Sequence, residues 1–268
     1  MTLFRTIIEK FKKETFDISN FHQSIHADDD EKFYWFLKNR INKQNINLPT
    51  FSGNTALHYS CTEKNIEFTK ALLNAGAKAN TINKRGESPL FNVCESAAYI
   101  HKSYMGLIPS IINPSLSHLF SLSKCQKIFE IRNKNVKTNL ELAQLLITHH
   151  ADANTHDNEK NTCLHNAIKA EHKEMVLLLI NHGANLLDEN EEGITSFSLA
   201  IKEKSYEVLD AIFRNTKSLE EINIFIQETQ KNPEAYTHYQ DMLSSIQLNF
   251  SLGISLEDKK ILIKKVKI

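Results

Sequence analysis

The chain has 268 residues, 41% of them hydrophobic and 24% charged, and its 32 basic and 32 acidic side chains cancel to a formal net charge of zero. Such a length buries a sizeable core in one large or two small domains. The zero balance argues against a whole-chain binder of nucleic acid or anionic membrane, and no apolar run approaches the roughly 18 residues of a bilayer span.

Residues 1–17 mix apolar positions with Arg5, Glu9, Lys10, Lys12 and Lys13 and are expected to form an N-terminal helix; they lack the apolar stretch of a secretory signal. Ser19-Asn20-Phe21-His22 comes next, and a helix is expected from Glu31 to Arg40, with Phe33, Trp35, Phe36 and Leu37 apolar. The same pattern returns at Thr55-Ala56-Leu57-His58. From there the step is fixed: Gly53-Asn54-Thr55-Ala56-Leu57-His58 is followed 33 residues later by Gly86-Glu87-Ser88-Pro89-Leu90-Phe91. Lys160-Asn161-Thr162-Cys163-Leu164-His165 and Gly193-Ile194-Thr195-Ser196-Phe197-Ser198 are again 33 apart, while the interval between these two pairs is one period plus 41 residues. A period of this size marks stacked helical pairs that bind along their length.

Each unit reads as a turn, a short helix, a tight loop, a second helix and a long loop. In the second unit Thr55 caps a helix over 56–63, and a second helix over 66–75 carries Phe68, Ala71, Leu72 and Leu73. Gly76 then stands where a helix ends in a left-handed residue. The fourth unit has helices near 163–170 and 172–180, and the fifth near 196–203 and 205–214.

The 41-residue excess lies between the two helices of the third unit, from about Ala98 to Thr138. Tyr99 to Ile112 extends the first helix, Pro109 and Pro114 limit regular structure, and Ser115 to Asn133 is expected to form an amphipathic helix. The segment is too apolar for a disordered linker. After 216 the phase stops. Ser218-Leu219-Glu220-Glu221 is a capping box, a further helix is expected over 233–248, and Ser255 opens a last, lysine-rich one. Residues 217–268 are thus expected to be a helical extension that caps the array.

Gly53, Thr55, Leu57 and His58, followed by Leu72, Leu73, Gly76, Ala77 and Asn80, resemble the ankyrin repeat. The third unit matches at Gly86, Ser88, Pro89 and Leu90, then at Leu142, Leu145, Leu146, Ala151, Asp152 and Asn154; the fourth matches at Thr162, Leu164, His165, His172, Gly183, Ala184 and Asn185. Lys160 and His150 replace glycines of the pattern, and Phe91 its histidine. The resemblance covers about 50–216, with a degraded copy before it. It implies an all-α ankyrin-repeat solenoid of about five repeats over 18–216, with a helical insertion (about 98–138) inside the third and a helical C-terminal cap.

Histidine at the family's T-x-L-H position usually bonds backbone between adjacent turns, so His58 and His165 read as structural. His149 and His182 share a position, with His150 and His156 nearby, but the spacing matches no metal-ligand pattern and solvent-facing loop histidines are the better reading. Cys61 and Cys94 share a position that asks for a small buried side chain, and the four cysteines include no C-x-x-C pair. There is no nucleophile elbow, Walker loop or H-E-x-x-H. Catalytic residues, cofactors and metals are therefore not expected.

The resemblance implies a partner on the concave side, at the loop tips and the exposed ends of the first helices. On this chain those positions are Phe51, Lys84, Arg85, Glu95, Asn158, Glu159, Lys169, Glu191, Glu192 and Lys202. The tips change sign, from Lys84-Arg85 to Glu191-Glu192, which suits a partner of mixed charge. Within the insertion Tyr99, Tyr104, Phe120 and Phe129 are candidate anchors. Five bases against one acid over 124–137 suit an acidic partner or a solvated face. The expected function is non-enzymatic binding of another protein, with self-association through the insertion as a further route and neither nucleic acid nor a membrane span. The lysine- and asparagine-rich repeats resemble those of effectors from intracellular bacterial pathogens. That resemblance implies a cytoplasmic protein, or one secreted into a host cytoplasm. The competing class is an enzyme whose site is built by the insertion or by 217–268.

Overall fold

The structure, a computed structural model, describes residues 17–95, 122–215 and 219–240, and within helices it leaves out the side chains of 122–129, 131, 132 and 219. The helix expected over 1–17, the first part of the insertion and the helices expected after 240 lie outside the described residues, apart from Asp17. Twelve helices run in order among the described residues. They are α1 Ile18–His26, α2 Asp30–Asn39, α3 Ala56–Thr62, α4 Ile66–Asn74, α5 over 89–95, α6 Leu122–Thr148, α7 Cys163–Lys169, α8 Lys173–Asn181, α9 Ser196–Lys202, α10 Tyr206–Arg214, α11 Leu219–Lys231 and α12 over 233–240. Their pairs stack into an all-α ankyrin solenoid of five units with one hydrophobic core running from Phe21 to Tyr239.

Short polar side chains start the helices where the sequence places them. Ser88 Oγ accepts from the Phe91 amide at 3.1 Å, with Pro89 at the first helical position, where its missing N–H costs nothing. Thr195 Oγ1 accepts from the Ser198 amide at 3.3 Å. Second helices are capped by Asp29, Asn65 and His172, which accept from the amides of Lys32, Phe68 and Met175. The first unit departs from the expected alignment. Its helix opens at Ile18 with Asp17 as cap, ahead of Ser19. His22 consequently has no capping threonine, and both its ring nitrogens are buried without a hydrogen-bond partner among the described residues. Burial, and then the neighbouring His26, push His22 down to about 4.

Glycine positions carry the left-handed turns. Gly53 has φ +86 and Gly76 φ +97. Among the described residues six others hold positive φ without being glycine: Asp28, Lys64, Glu171 and Lys204 between paired helices, His150 after α6 and Lys160 at a tip. L-residues are strained there, so this array is softer than its periodicity suggests.

The insertion joins the stack differently from expectation. Instead of an amphipathic helix separated from the unit's second helix, α6 runs unbroken for 27 residues through both. In the other units the residue before the cap turns left-handed (Asp28, Lys64, Glu171, Lys204). The matching residue of unit three is Thr138, and a β-branched side chain is poorly tolerated in that region. Thr138 Oγ1 instead bonds back to the Lys134 carbonyl at 2.9 Å, as in a helix interior. The cap-position residue, Asn139, is left inside the helix, fully buried, with both side-chain amide atoms unpartnered.

At the C-terminal end α11 packs on α9, and Phe225 lies against Phe197, Phe213 and Tyr239 at ring-centroid distances of 5.7, 4.3 and 5.4 Å. The Tyr239 hydroxyl donates to Asp210 Oδ1 at 2.6 Å, closing the last unit.

Candidate binding groove

The tips of successive units are joined by backbone hydrogen bonds. Lys84 N–H donates to Ser52 O at 3.0 Å, Asn158 N–H to Arg85 O at 2.8 Å, and Glu191 N–H to Glu159 O at 2.9 Å. The middle bond bridges the insertion without distortion. Below this ladder Asn47, Asn80 and Asn154 each accept a backbone N–H from the next unit at 2.8 Å, from Lys78, Asp152 and Asn185. His58 Nε2 meets Glu87 O at 3.0 Å and His165 Nε2 meets Ile194 O at 2.9 Å, each with Nδ1 facing its own N-cap threonine. Both histidines are therefore structural, as their repeat position implies. Burial lowers His58 to about 4 and lowers His165 as well.

The ladder holds the tip side chains in two rows. Phe51, Lys84, Asn158 and Glu191 form one, and Ser52, Arg85, Glu159 and Glu192 the other. Across from them lie Glu95, 3.9 Å from Arg85, and Lys202, 3.8 Å from Glu192, with Lys169 lining the same cleft as Glu159. Charge thus changes sign along the stack on both walls, and in opposite directions. At unit three Arg85 pairs with Glu87 at 2.8 Å and approaches Glu95 to 3.9 Å; at unit five Lys202 approaches Glu192 to 3.8 Å. Burial, and then the Glu87 carboxylate, raise Glu95 above the usual carboxylate range. The tip charges are compensated locally by the opposite wall.

Between units four and five the walls enclose a cleft of about 310 Å³. Glu159, Lys169, Glu191, Glu192 and Lys202 line it, all of them named from sequence, together with Glu203. Its floor is Ile194 and Leu199, with Asn161 and Asn190 joined by a 3.1 Å hydrogen bond. Asn190 and Leu199 were not among the expected site residues. At the other end Phe51 is 93% exposed, with Lys84 Nζ 3.9 Å from its ring centroid. Asn158 is tied down, its side chain donating to Lys84 O at 3.2 Å. Tyr99, Tyr104 and Phe120 lie outside the described residues, and Phe129 lies in α6 without a described side chain.

His149, His150, His156 and His182 are exposed, and among the described residues no three His, Cys, Asp or Glu side chains gather to hold a metal. Burial pushes the Cys61 thiol up to about 12; for Cys94 the adjacent Cys163 thiol, and then burial, raise it too. A thiol held protonated in this way is a packing group and a poor nucleophile. Among the described residues no helix is long and apolar enough to cross a membrane.

Comparison with known proteins agrees with this architecture. The family model described as "Ankyrin repeats (3 copies)" matches residues 21–101 and 133–224, leaving out the middle of the insertion. The chain is similar to Tyrosine-protein kinase HTK16 of Hydra vulgaris, 39% identical over 74 residues, which is 28% of this chain and 9% of that protein. It is also similar to Ankyrin repeat protein OPG189 of variola virus, 25% identical over 186 residues, covering 67% of this chain and 30% of the viral protein. The chain thus spans less than a third of the length of either relative. The family match covers well over half of the sequence, and the chain belongs to the ankyrin-repeat family.

Proposed function

We propose that the protein binds a partner protein along its concave groove, with Phe51 as an apolar anchor at one end and the unit four–five cleft as the charged seat at the other. Repeats of this family are protein-interaction modules, and they supply the general class. The specific reading is supported above all by the crossed charge rows. Exposed ion pairs such as Glu192 with Lys202 hold the empty groove only weakly, by about 0–1 kcal/mol. A partner segment carrying both signs exchanges them for its own pairs at little cost, and an exposed aromatic adds apolar contact.

Photo-crosslinking tests this surface. A crosslinking amino acid is placed at Phe51, at Lys169 and at the control position Lys70 on α4, and the full chain is exposed to cell extract. The proposal expects the same partner captured from Phe51 and Lys169 and not from Lys70. Capture from Lys70 alone, or equally from all three, would place the interface elsewhere.

The finer assignment, an effector secreted by an intracellular bacterium and acting in host cytoplasm, is supported by the lysine- and asparagine-rich repeats. Fusion to a translocation reporter during infection of cultured cells tests it, and retention of the reporter inside the bacterium would end that reading.

A further inference from the structure

Two parts of the groove hold their charges differently. At unit three the chain supplies its own cation: the Arg85 guanidinium pairs with Glu87 at 2.8 Å and stands 3.9 Å from Glu95. The Glu87 side chain is only 4% exposed and is held in place by Asn83, whose amide donates to it at 2.7 Å. In the tip row Arg85 is succeeded by Glu159 and then Glu192. The cleft between units four and five is therefore lined by carboxylates from the row that carries a guanidinium at unit three.

Glu159, Glu191, Glu192 and Glu203 line this cleft against Lys169 and Lys202. Four carboxylates against two ammonium groups leave two negative charges uncompensated, although the whole chain is neutral. Glu159 accepts from the Asn161 amide at 3.2 Å, and Glu192 has Lys202 at 3.8 Å, a long pair between well-exposed side chains. Glu191 and Glu203 make no ion pair or side-chain hydrogen bond among the described residues. The cleft holds about 310 Å³ over an apolar floor of Ile194 and Leu199. Among the described residues no three carboxylates gather as metal ligands do, so the arrangement suits a cation carried on an apolar stem and not a compact metal ion.

We infer that this cleft seats an arginine side chain of the partner protein, an assignment that rests on the groove reading above. The methylene stem covers Ile194 and Leu199, and the guanidinium draws on the carboxylates that nothing in the chain engages. Arginine suits the seat better than lysine. Its planar fork serves two carboxylates at once and is more weakly hydrated than an ammonium group. Arg85 meets two carboxylates in this way within the chain itself. When the guanidinium also attracts Glu192, Lys202 is released to an acidic neighbour of that arginine, so one partner segment carries both signs.

The test is titration of the full ¹⁵N-labelled chain with the capped peptide Gly-Gly-Arg-Gly-Gly at low salt, following the side-chain amides of Asn161 and Asn190 in the cleft. Saturable shifts of both are expected. The same peptide with citrulline in place of arginine keeps the shape, loses the charge and should shift neither. Glu191→Gln combined with Glu203→Gln should weaken binding about fivefold, while Glu67→Gln on α4 leaves it unchanged. All three side chains are exposed, and thermal melts check that the variants stay folded. The citrulline comparison needs no variant at all. Amides unmoved by millimolar arginine peptide overturn the proposal, as do an equal response to citrulline and a double variant that binds like wild type. Crosslinking from Phe51 and Lys169 separates the two readings. A shared partner captured there while the amides stay unmoved leaves the groove standing without its arginine seat. Shifted amides with no shared capture overturn the extended groove and keep the seat.

Discussion

The two long edges of this stack respond to the same insertion in opposite ways. On the tip edge, Asn158 bonds Arg85 across the inserted residues at 2.8 Å, as tightly as the uninterrupted tips bond each other. On the turn edge, the insertion removes a turn, fuses two helices into α6 and leaves Asn139 without a partner. Tip contacts depend on residues that the chain brings back in phase after any detour. Turn contacts depend on the very linkage that the detour replaces. Inserted sequence therefore enters a helical-pair array where one local turn is lost and the shared ladder is kept.

The largest expected effect tests the tip edge through acid. His58 sits in the ladder and titrates near 4 in the folded chain, and His22 is likewise held near 4 by burial. An unfolded histidine takes up its proton near 6.5, so between pH 6.5 and 4 the unfolded state binds more protons and stability falls as pH falls. The loss is about 2–3 kcal/mol per histidine and is absent above pH 6.5. Denaturant melts from pH 7.5 to 4.5 measure it, and His58→Gln should flatten part of the slope. A wild-type profile that stays level across this range would refute the assignment.

Glycine substitutions sharpen the contrast next. A Cβ on Gly53 would stand 2.7 Å from the Lys84 amide nitrogen, inside the ladder, whereas one on Gly76 meets nothing within 4 Å. Gly53→Ala should cost about 2–3 kcal/mol by strain and lost ladder contact, and Gly76→Ala about 1 kcal/mol by backbone strain alone. Equal costs in urea melts would mean that the tip contact contributes nothing.

Smaller still is the relief of a strained tip. Lys160 holds φ +59 where the matching residues are Gly53, Gly86 and Gly193. Lys160→Gly should stabilise by about 0.5–1 kcal/mol, and any loss in thermal melts would show that its side chain serves the fold. Least affected should be Lys202→Glu, which removes the 3.8 Å pair to Glu192. A change under about 0.5 kcal/mol is expected, together with loss of partner capture at Lys169. Marked destabilisation would make the groove charges structural.

Much of this was legible in the sequence because a repeated unit repeats its contacts. The 33-residue phase identifies His58, His165 and the buried cysteines as stack residues, and it brings Glu159, Lys169, Glu191, Glu192 and Lys202 to one cleft. Two features were misread for a local reason. The first unit's helix begins earlier because Asp17 offers a better cap than Ser19. The insertion's helix fuses with the third unit's second helix because Thr138 resists the left-handed turn; its β-branched side chain beside the cap-position Asn139 is the sequence signal that would have shown it.

By itself the sequence determined the fold family, the period, the place of the insertion and which side chains the tips present, since each follows from spacing along one chain. Only the tertiary structure decided how those side chains meet. It placed a second row of opposite sign across the groove from the tip charges. It also left Asn139 buried with no side-chain partner among the described residues, which spacing along the chain does not foretell. Spacing fixes the order of contacts within a unit; pairing between units depends on the partner that packing supplies.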